Sequence, residues 1–501
     1  MQSRRDQVQA HMFVVGRLTA GMLRADPDAP ESTAGRTTRG LGVGIAVSLL
    51  LAVGFLLYGM ISPGGGQSWR DGRAVIVEKE TGNRYLLLEG ALRPVQDYAS
   101  VRLILGEQPK VKSVTVRALT GIPHGLPIGI AGAPGTLPAA KDLNRGLWLV
   151  CATTAPDPSG AVQARTTLRI GPPADGADPL AGGRDPGDEA VLVSGPDGTR
   201  HILWHDRRLR LDTANGGVQA LGYASATARP VSGAFLDSMP AGPDLSAPDV
   251  PGRGTAGRPL GATATTVGQV FAVRPPGGQE QYHLMTGDGL RPVSATTAAL
   301  LLGDPRTVAQ AYGGKSATAL PLGADQLAAG AAAGAVAGPG GTDGLPAVPP
   351  RLTVPGAGDG LCVTVQPEGA NPRVGLTVVP FDRPVAAPGP ERAAAVALGT
   401  APACLPVDQV SVRAGGGALV QALGAGGGTI GSTLFLVTDT GVKYRLPNGS
   451  VRALGYEGTR PQGVPSRLLA MLPSGPVLDP AIAARTVMPP QAPAAQDECR
   501  S

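Results

Sequence analysis

The chain has 501 residues, a net charge of +5 at pH 7, 74 glycines, 49 prolines and only 3% aromatic residues. Such a composition builds short strands, many turns and small cores rather than long helical bundles. The small positive charge is spread along the sequence without a basic stripe of interleaved aromatics, so nucleic acid is excluded as a partner class.

Residues 2 to 24 place Val8, Met12, Val15, Leu18 and Met22 at spacings of three and four, one face of an amphipathic helix. Ser3 is its expected N-cap. Asp26-Pro27 ends it, because the residue before proline avoids the α region. The helix either lies on a membrane surface or docks to a cytoplasmic partner; docking is the leading expectation. A Pro/Ser/Thr/Gly/Arg linker occupies 26 to 40.

Residues 41 to 61, LGVGIAVSLLLAVGFLLYGMI, carry no charge. At a helical rise this run spans about 30 Å, the thickness of a bilayer's hydrocarbon core. It predicts one transmembrane helix. Arg4, Arg5, Arg17, Arg24, Arg36 and Arg39 precede it, and Arg70 and Arg73 follow after a Pro-Gly-Gly-Gly linker. That balance puts the N-terminus in the cytoplasm. A cleaved signal peptide fits less well, since the run is long and starts forty residues in. The rest of the chain is then expected outside the cytoplasm.

Internal repetition is the main feature of that larger part. Residues 74 to 106 read as three short strands with turns at Glu80-Thr-Gly82 and Glu89-Gly90, then a helix closed by Gly106. The same order is expected from 190, 269 and 433. Leu92-Arg-Pro-Val95 matches Leu290-Arg-Pro-Val293, and Leu103-Ile-Leu-Gly106 matches Leu300-Leu-Leu-Gly303. Ala220-Leu-Gly-Tyr223 matches Ala453-Leu-Gly-Tyr456. The first repeat therefore pairs with the third and the second with the fourth, as a duplicated two-module half would give.

The expected fold is α+β: an N-terminal amphipathic helix, one transmembrane helix, and an elongated quasi-two-fold extracytoplasmic domain of four β-meander-plus-helix repeats around a central β-rich domain. The expected divisions are 1–40, a cytoplasmic helix and linker; 41–61, the membrane span; 62–73, a linker; 74–151, 190–245, 269–304 and 433–480, the repeats; 305–432, the central domain; and 481–501, a tail that frays. Gly/Pro-rich connections are expected at 171–189 and 241–262. Within the centre, Ala324-Asp-Gln-Leu-Ala-Ala favours helix, and strands are expected at 361–365, 374–379 and 409–412.

The four cysteines are sparse but even in number, and pairing is the default in an oxidising compartment. Cys151 and Cys362 both sit in apolar, strand-like contexts, and a bridge between them would tie the first module to the centre. Cys404 and Cys499 remain; Cys499 lies next to the end of the chain, and its pairing with Cys404 is left open.

Catalytic and metal motifs are absent. Gly313-Gly-Lys-Ser316 imitates a phosphate-binding loop, but the required first glycine is Ala309 and no strand leads into it. His201-Ile-Leu-Trp-His205 has metal-ligand spacing for a helix, yet falls on a strand and turn, where four residues span about 13 Å. Glu78, Glu80 and Asp97 are read as solvated turn and edge residues. Asn448-Gly-Ser450 matches a glycosylation sequon, better explained as a hairpin turn. No metal and no cofactor is expected.

Ser3-Arg-Arg-Asp-Gln-Val-Gln-Ala-His11, Arg24-Ala-Asp-Pro-Asp28, Glu80-Thr-Gly-Asn-Arg-Tyr85, Leu92-Arg-Pro-Val95, Tyr98-Ala-Ser100, Leu103-Ile-Leu-Gly106 and Gly129-Ile-Ala-Gly-Ala-Pro134, with Leu137-Pro138 and Trp148 to Cys151, resemble the EccB family. EccB proteins are core membrane components of the type VII (ESX) secretion system. Met12 departs from the pattern, where the family usually carries a basic residue. The resemblance implies repeat modules around a central domain with a bridge like Cys151–Cys362. It implies assembly with the EccC motor ATPase, the EccD channel-like subunit and EccE in the plasma membrane, and self-association of the outer domain. Arg4, Arg5, Gln7 and His11 of the opening motif are the expected docking residues. Some members carry an ATPase label; with no intact phosphate loop, intrinsic activity is not expected. A membrane-anchored ATPase and a cell-wall-binding module are the alternatives.

Overall fold

The computed structural model describes residues 4–24, 33–61, 67–156, 158–172, 176, 178–332, 344–356, 358–367, 372–380, 399–424, 427–487 and 499. They form two compact units, Met1–Leu92 with Lys110–Pro123, and Arg93–Pro109 with His124–Ser501.

The first unit opens with helix α1 (Arg4–Arg24) and helix α2 (Thr33–Ile61). Helix α2 begins ahead of the apolar run, so 33–40 are helical rather than linker; 25–32 and the expected cap Ser3 lie outside the described residues. Strands β1 (Ala74–Glu78), β2 (Arg84–Leu88) and β3 (Ala91–Pro94) make the expected meander. Helix α3 (Tyr98–Leu105) follows but belongs to the second unit. The chain then returns as β4 (Lys110–Val114), parallel to β1 from Ala74↔Lys110 to Glu78↔Val114, and ends this unit's sheet in a short helix, α4 (Val116–Leu119). A helical crossover forces this parallel pairing, which a meander alone lacks. Trp69, Ile76, Tyr85, Leu92, Val114 and Leu119 form the core. Glu78 is buried and accepts from the Tyr85 hydroxyl at 3.3 Å, and Glu80 accepts from the Val116 N–H at 3.0 Å. The expectation of a solvated carboxylate is therefore corrected for Glu78, which is buried against β2; Glu80 is exposed in its turn as expected.

The second unit is built around a five-stranded sheet. Strands β5 (Trp148–Pro156) and β6 (Val162–Ile170) form a hairpin. The second repeat follows: β7 (Val191–Ser194), β8 (Arg200–Trp204), β9 (Arg207–Arg210), helix α5 (Gly217–Ala220), β10 (Arg229–Pro230) and helix α6 (Gly233–Asp237). The third has β11 (Val270–Val273), β12 (Gln281–Thr286), β13 (Gly289–Val293), helices α7 (Ala295–Gly303) and α8 (Pro305–Ala311), and β14 (Leu320–Pro321). Helix α9 (Ala324–Gly330) precedes a second long hairpin, β15 (Asp359–Gln366) with β16 (Arg373–Pro380), and then β17 (Gln409–Val412). The fourth repeat comprises β18 (Gly417–Leu423), β19 (Thr429–Thr438), β20 (Lys443–Leu446), α10 (Ser450–Ala453), β21 (Gln462–Pro465) and α11 (Ser466–Leu469); α12 (Pro480–Ala483) follows.

The central sheet has the order β16-β15-β5-β6-β17. Its middle is the antiparallel pair β5 and β15, with Val150 opposite Val363 and Cys151 opposite Cys362. One hairpin comes from each half of the chain. This corrects the expected divisions. Residues 148–170 belong to the central sheet, including 148–151, which are expected within the first repeat. Residues 305–321 complete the third repeat, because β14 pairs with β11. Strand β18 is the first strand of the fourth repeat, so 433–437 lie in its second strand. The connection 241–262 is paired locally, at Arg208↔Ala241 and Leu211↔Leu245. The tail is ordered through α12, whose Ala483 is fully buried; 488–498 lie outside the described residues.

The halves match in detail. Tyr223 and Tyr456, the last residues of the two Ala-Leu-Gly-Tyr motifs, are both buried and donate to proline carbonyls: Tyr223 to Pro350 at 2.7 Å and Tyr456 to Pro138 at 2.8 Å. Burial pushes the Tyr223 hydroxyl up to about 12 and raises that of Tyr456 as well, so both stay donors. Helix α3 packs on α10 and α12, and α7 packs on α5. In the latter contact a Cβ on Gly303 would lie 2.4 Å from the Ala220 Cβ, so only glycine allows the approach. Side-chain caps fix the helix starts. Asp97, Ser232, Ser294 and Asp304 accept from the first-turn N–H groups of α3, α6, α7 and α8. Asp97 is thus a buried cap, not a solvated carboxylate; burial raises its carboxyl above the ordinary range against the opposing hydrogen bonds from Ser100. Asp304 is wholly buried with Arg253 at 2.6 Å. Burial opposes its ionisation, but the Arg306 hydrogen bonds and the charges of Arg306 and Arg253 outweigh that and hold its carboxyl low.

Candidate functional site

Among the described residues, the two N-terminal helices leave large apolar side chains exposed along their length. On α1, Val8, Met12, Val15, Leu18 and Met22 line one face and are 49% to 84% exposed. Arg4 and His11 continue that line at helical spacing, Gln7 borders it next to His11, and Arg5 flanks it beside Met12. All four are exposed, so the expected docking residues are gathered at one end of one apolar stripe. Phe13, 68% exposed, rises on the opposite side, on the line of Gln9 and Arg17. Sequence reading missed it because it breaks the stripe's period; its offset from Val8 by five residues was the available signal. Helix α2 shows the same lack of cover. Over Thr37–Leu57 it is long and apolar enough to cross a membrane, and its large side chains from Leu41 to Leu57 are 45% to 75% exposed. Water does not tolerate so much contiguous apolar surface.

The cysteines are all paired. Cys151 and Cys362 are bonded across β5 and β15, with Cα atoms 4.1 Å apart, inside a cluster with Leu149 and Val379. Cys404 and Cys499 are bonded with Cα atoms 5.5 Å apart, tethering the chain's end.

The near misses resolve by position. Gly313-Gly-Lys-Ser316 follows helix α8 and leads toward β14, the reverse of a phosphate cradle, where a strand enters the loop and a helix leaves it. His201 lies on β8, and burial, with Arg208 nearby, lowers its proton affinity. His205 sits in the turn beyond, stacked on Trp204 and 3.2 Å from the Asp188 carboxylate. Among the described residues no group of three His, Cys, Asp or Glu side chains gathers as metal ligands. Asn448-Gly449 joins β20 to α10 and is not a hairpin turn. Ser450 is buried and donates to the Leu478 carbonyl at 2.7 Å, which removes the sequon's hydroxyl from solvent.

Residues 1–489 match the family model described as "Type VII secretion system ESX-1, transport TM domain B". The chain is 30% identical over 306 residues to the ESX-5 secretion system ATPase EccB5 of Mycobacterium tuberculosis (strain ATCC 25618 / H37Rv), covering 60% of this chain and 58% of that protein. Thus the chain spans little more than half the length of that relative. It is 28% identical over 489 residues to the ESX-3 secretion system ATPase EccB3 of Mycolicibacterium smegmatis (strain ATCC 700084 / mc(2)155), covering 95% and 89%. Its fold is similar to a chain of an intact ESX-5 inner membrane complex, with TM-score 0.63 and 24% identity, covering 99% of this chain and 98% of that one. It is also similar to the EccB3 dimer of an ESX-3 core complex, with TM-score 0.58 and 26% identity, covering 82% and 99%.

Proposed function

This chain belongs to the EccB family of type VII secretion membrane components, and on that premise we propose that it is a structural subunit of an ESX inner-membrane complex. Helix α1 docks in the cytoplasm to partner subunits, of which EccC, EccD and EccE are the expected set. Helix α2 crosses the membrane once. The repeat body stands outside the cytoplasm, pairs with further copies of itself, and shapes the export path.

One observation carries this reading: α1 has an apolar stripe and, on the opposite side, Phe13, and nothing among the described residues covers either. A helix lying on a membrane needs one polar face turned to water. Phe13 opposite the Val8–Met22 stripe fits burial between partners instead. The relatives' names carry the word ATPase, but the helix-then-strand order around Gly313–Ser316 argues against a nucleotide site there.

The test is the size of the assembly that holds the chain. Affinity-tagged full-length protein, extracted from its own membranes in mild detergent, is expected to elute with several other ESX membrane subunits. Elution as a lone chain would contradict the proposal.

A further inference from the structure

The two Ala-Leu-Gly-Tyr motifs are preceded by a second match. Counted back from Ala220 and Ala453, Asn215-Gly216 and Asn448-Gly449 occupy the same place, ahead of α5 and α10. Both glycines are at positive φ, 80° and 92°. Asn-Gly is a chemically weak link. Glycine carries no Cβ to crowd its backbone nitrogen, so that nitrogen can reach the side-chain amide carbon of the asparagine before it. Both asparagines are exposed, and water, the one co-reactant of the reaction that follows, reaches both.

Their surroundings differ. Asn215 is anchored by Asp212: its backbone N–H donates to Oδ1 at 3.0 Å and its side-chain Nδ2–H to Oδ2 at 2.9 Å. The Ala214 N–H donates to the same Oδ1 at 2.9 Å. Burial opposes the Asp212 charge, but these bonds and the charge of Arg306 outweigh it and hold the carboxyl low, so the anchor is an ionised acceptor. Gly216 is also wedged: a Cβ there would lie 2.5 Å from the carbonyl oxygen of Gly303, the last residue of α7. In the other half Arg445 stands where Asp212 stands. A guanidinium has no acceptor, so it cannot anchor the amide in that way. A Cβ on Gly449 would meet nothing within 4 Å, which leaves the peptide room to turn.

We propose that Asn448 is a site of hydrolytic deamidation, and that Asn215, its counterpart, is protected by the fold. The backbone nitrogen of Gly449 gives up its proton and attacks Cγ of Asn448. The new C–N bond closes a succinimide ring, the Cγ–Nδ2 bond breaks, and the amide nitrogen leaves as ammonia with a proton. Water then opens the ring. Opening at one carbonyl gives aspartate; opening at the other routes the main chain through Cγ and gives isoaspartate, one methylene longer. That extra methylene falls two residues ahead of Ser450, which is buried and donates to the Leu478 carbonyl, so the isoaspartate form disturbs the seat of α10 while the aspartate form only adds an exposed charge.

The test is peptide mapping by mass spectrometry of the full-length protein in detergent micelles, sampled over weeks at mildly alkaline pH, where the attacking nitrogen loses its proton more readily. Asn448 is expected to convert at least about tenfold faster than Asn215, the factor that breaking charge-assisted hydrogen bonds implies. In the chain unfolded in urea the two should convert at similar rates, because both are followed by glycine and neither is held. Asp212→Ser should speed conversion of Asn215 in the folded protein and leave that of Asn448 unchanged. Equal rates in the folded parent, a preference for Asn215, or the same difference persisting in urea overturns the proposal, and that comparison needs no variant. An unchanged Asn215 rate in folded Asp212→Ser overturns the protection assigned to Asp212.

Discussion

Changing Cys151 and Cys362 together to alanine is expected to lower the melting temperature of the purified chain by about 5 °C. The bond closes a loop of 211 residues, and the chain-entropy model values such a closure at about 5 kcal/mol. The bond joins directly opposed strand residues within an apolar cluster, and alanine leaves no polar group unpaired there. The backbone register Val150↔Val363 and Leu361↔Ala152 should survive, so the variant folds and unfolds earlier. Calorimetry of parent and variant makes the comparison. A midpoint unchanged within a degree or two would mean that strand pairing alone holds the halves.

The second large effect concerns helix α1. Substituting Val8, Met12 and Val15 by serine is expected to abolish co-elution with partner subunits while α2 keeps the chain in the membrane. Each such side chain contributes about 1.5–3 kcal/mol on full burial, so three together weaken docking on the order of 1,000-fold or more. Phe13→Asp separates the two uses of the helix. Between protein partners it should weaken co-elution about tenfold or more. On a membrane surface it would only improve the polar face, and full co-elution of the Phe13→Asp variant would therefore turn the reading from partner docking to lipid.

Much of this was legible in the residues, for reasons that are local. The uncharged run from Leu41 to Ile61 needs no tertiary context to declare itself. The first meander announced itself through Gly82 and Gly90, which sit at positive φ in its two turns. The motif pairs found the duplication, and Tyr223 and Tyr456 have matching burial and bonding. What escaped was long-range or too short to have a period. Strands β10 and β14 are two residues each and contain proline, so no alternation marks them. Strand β18 was hidden between Gly-rich segments, which pulled the fourth repeat's start to its second strand. That β5 pairs with β15 depends on residues some two hundred positions apart, which no local pattern encodes.

A body held outside the cytoplasm by one span, with a short foot within, is tested most directly by protease on right-side-out spheroplasts carrying the chain with an N-terminal epitope. The account expects loss of everything beyond the span and a small, membrane-bound, epitope-bearing fragment that survives until detergent is added. An intact full-length chain under those conditions, with the epitope removed instead, would contradict it.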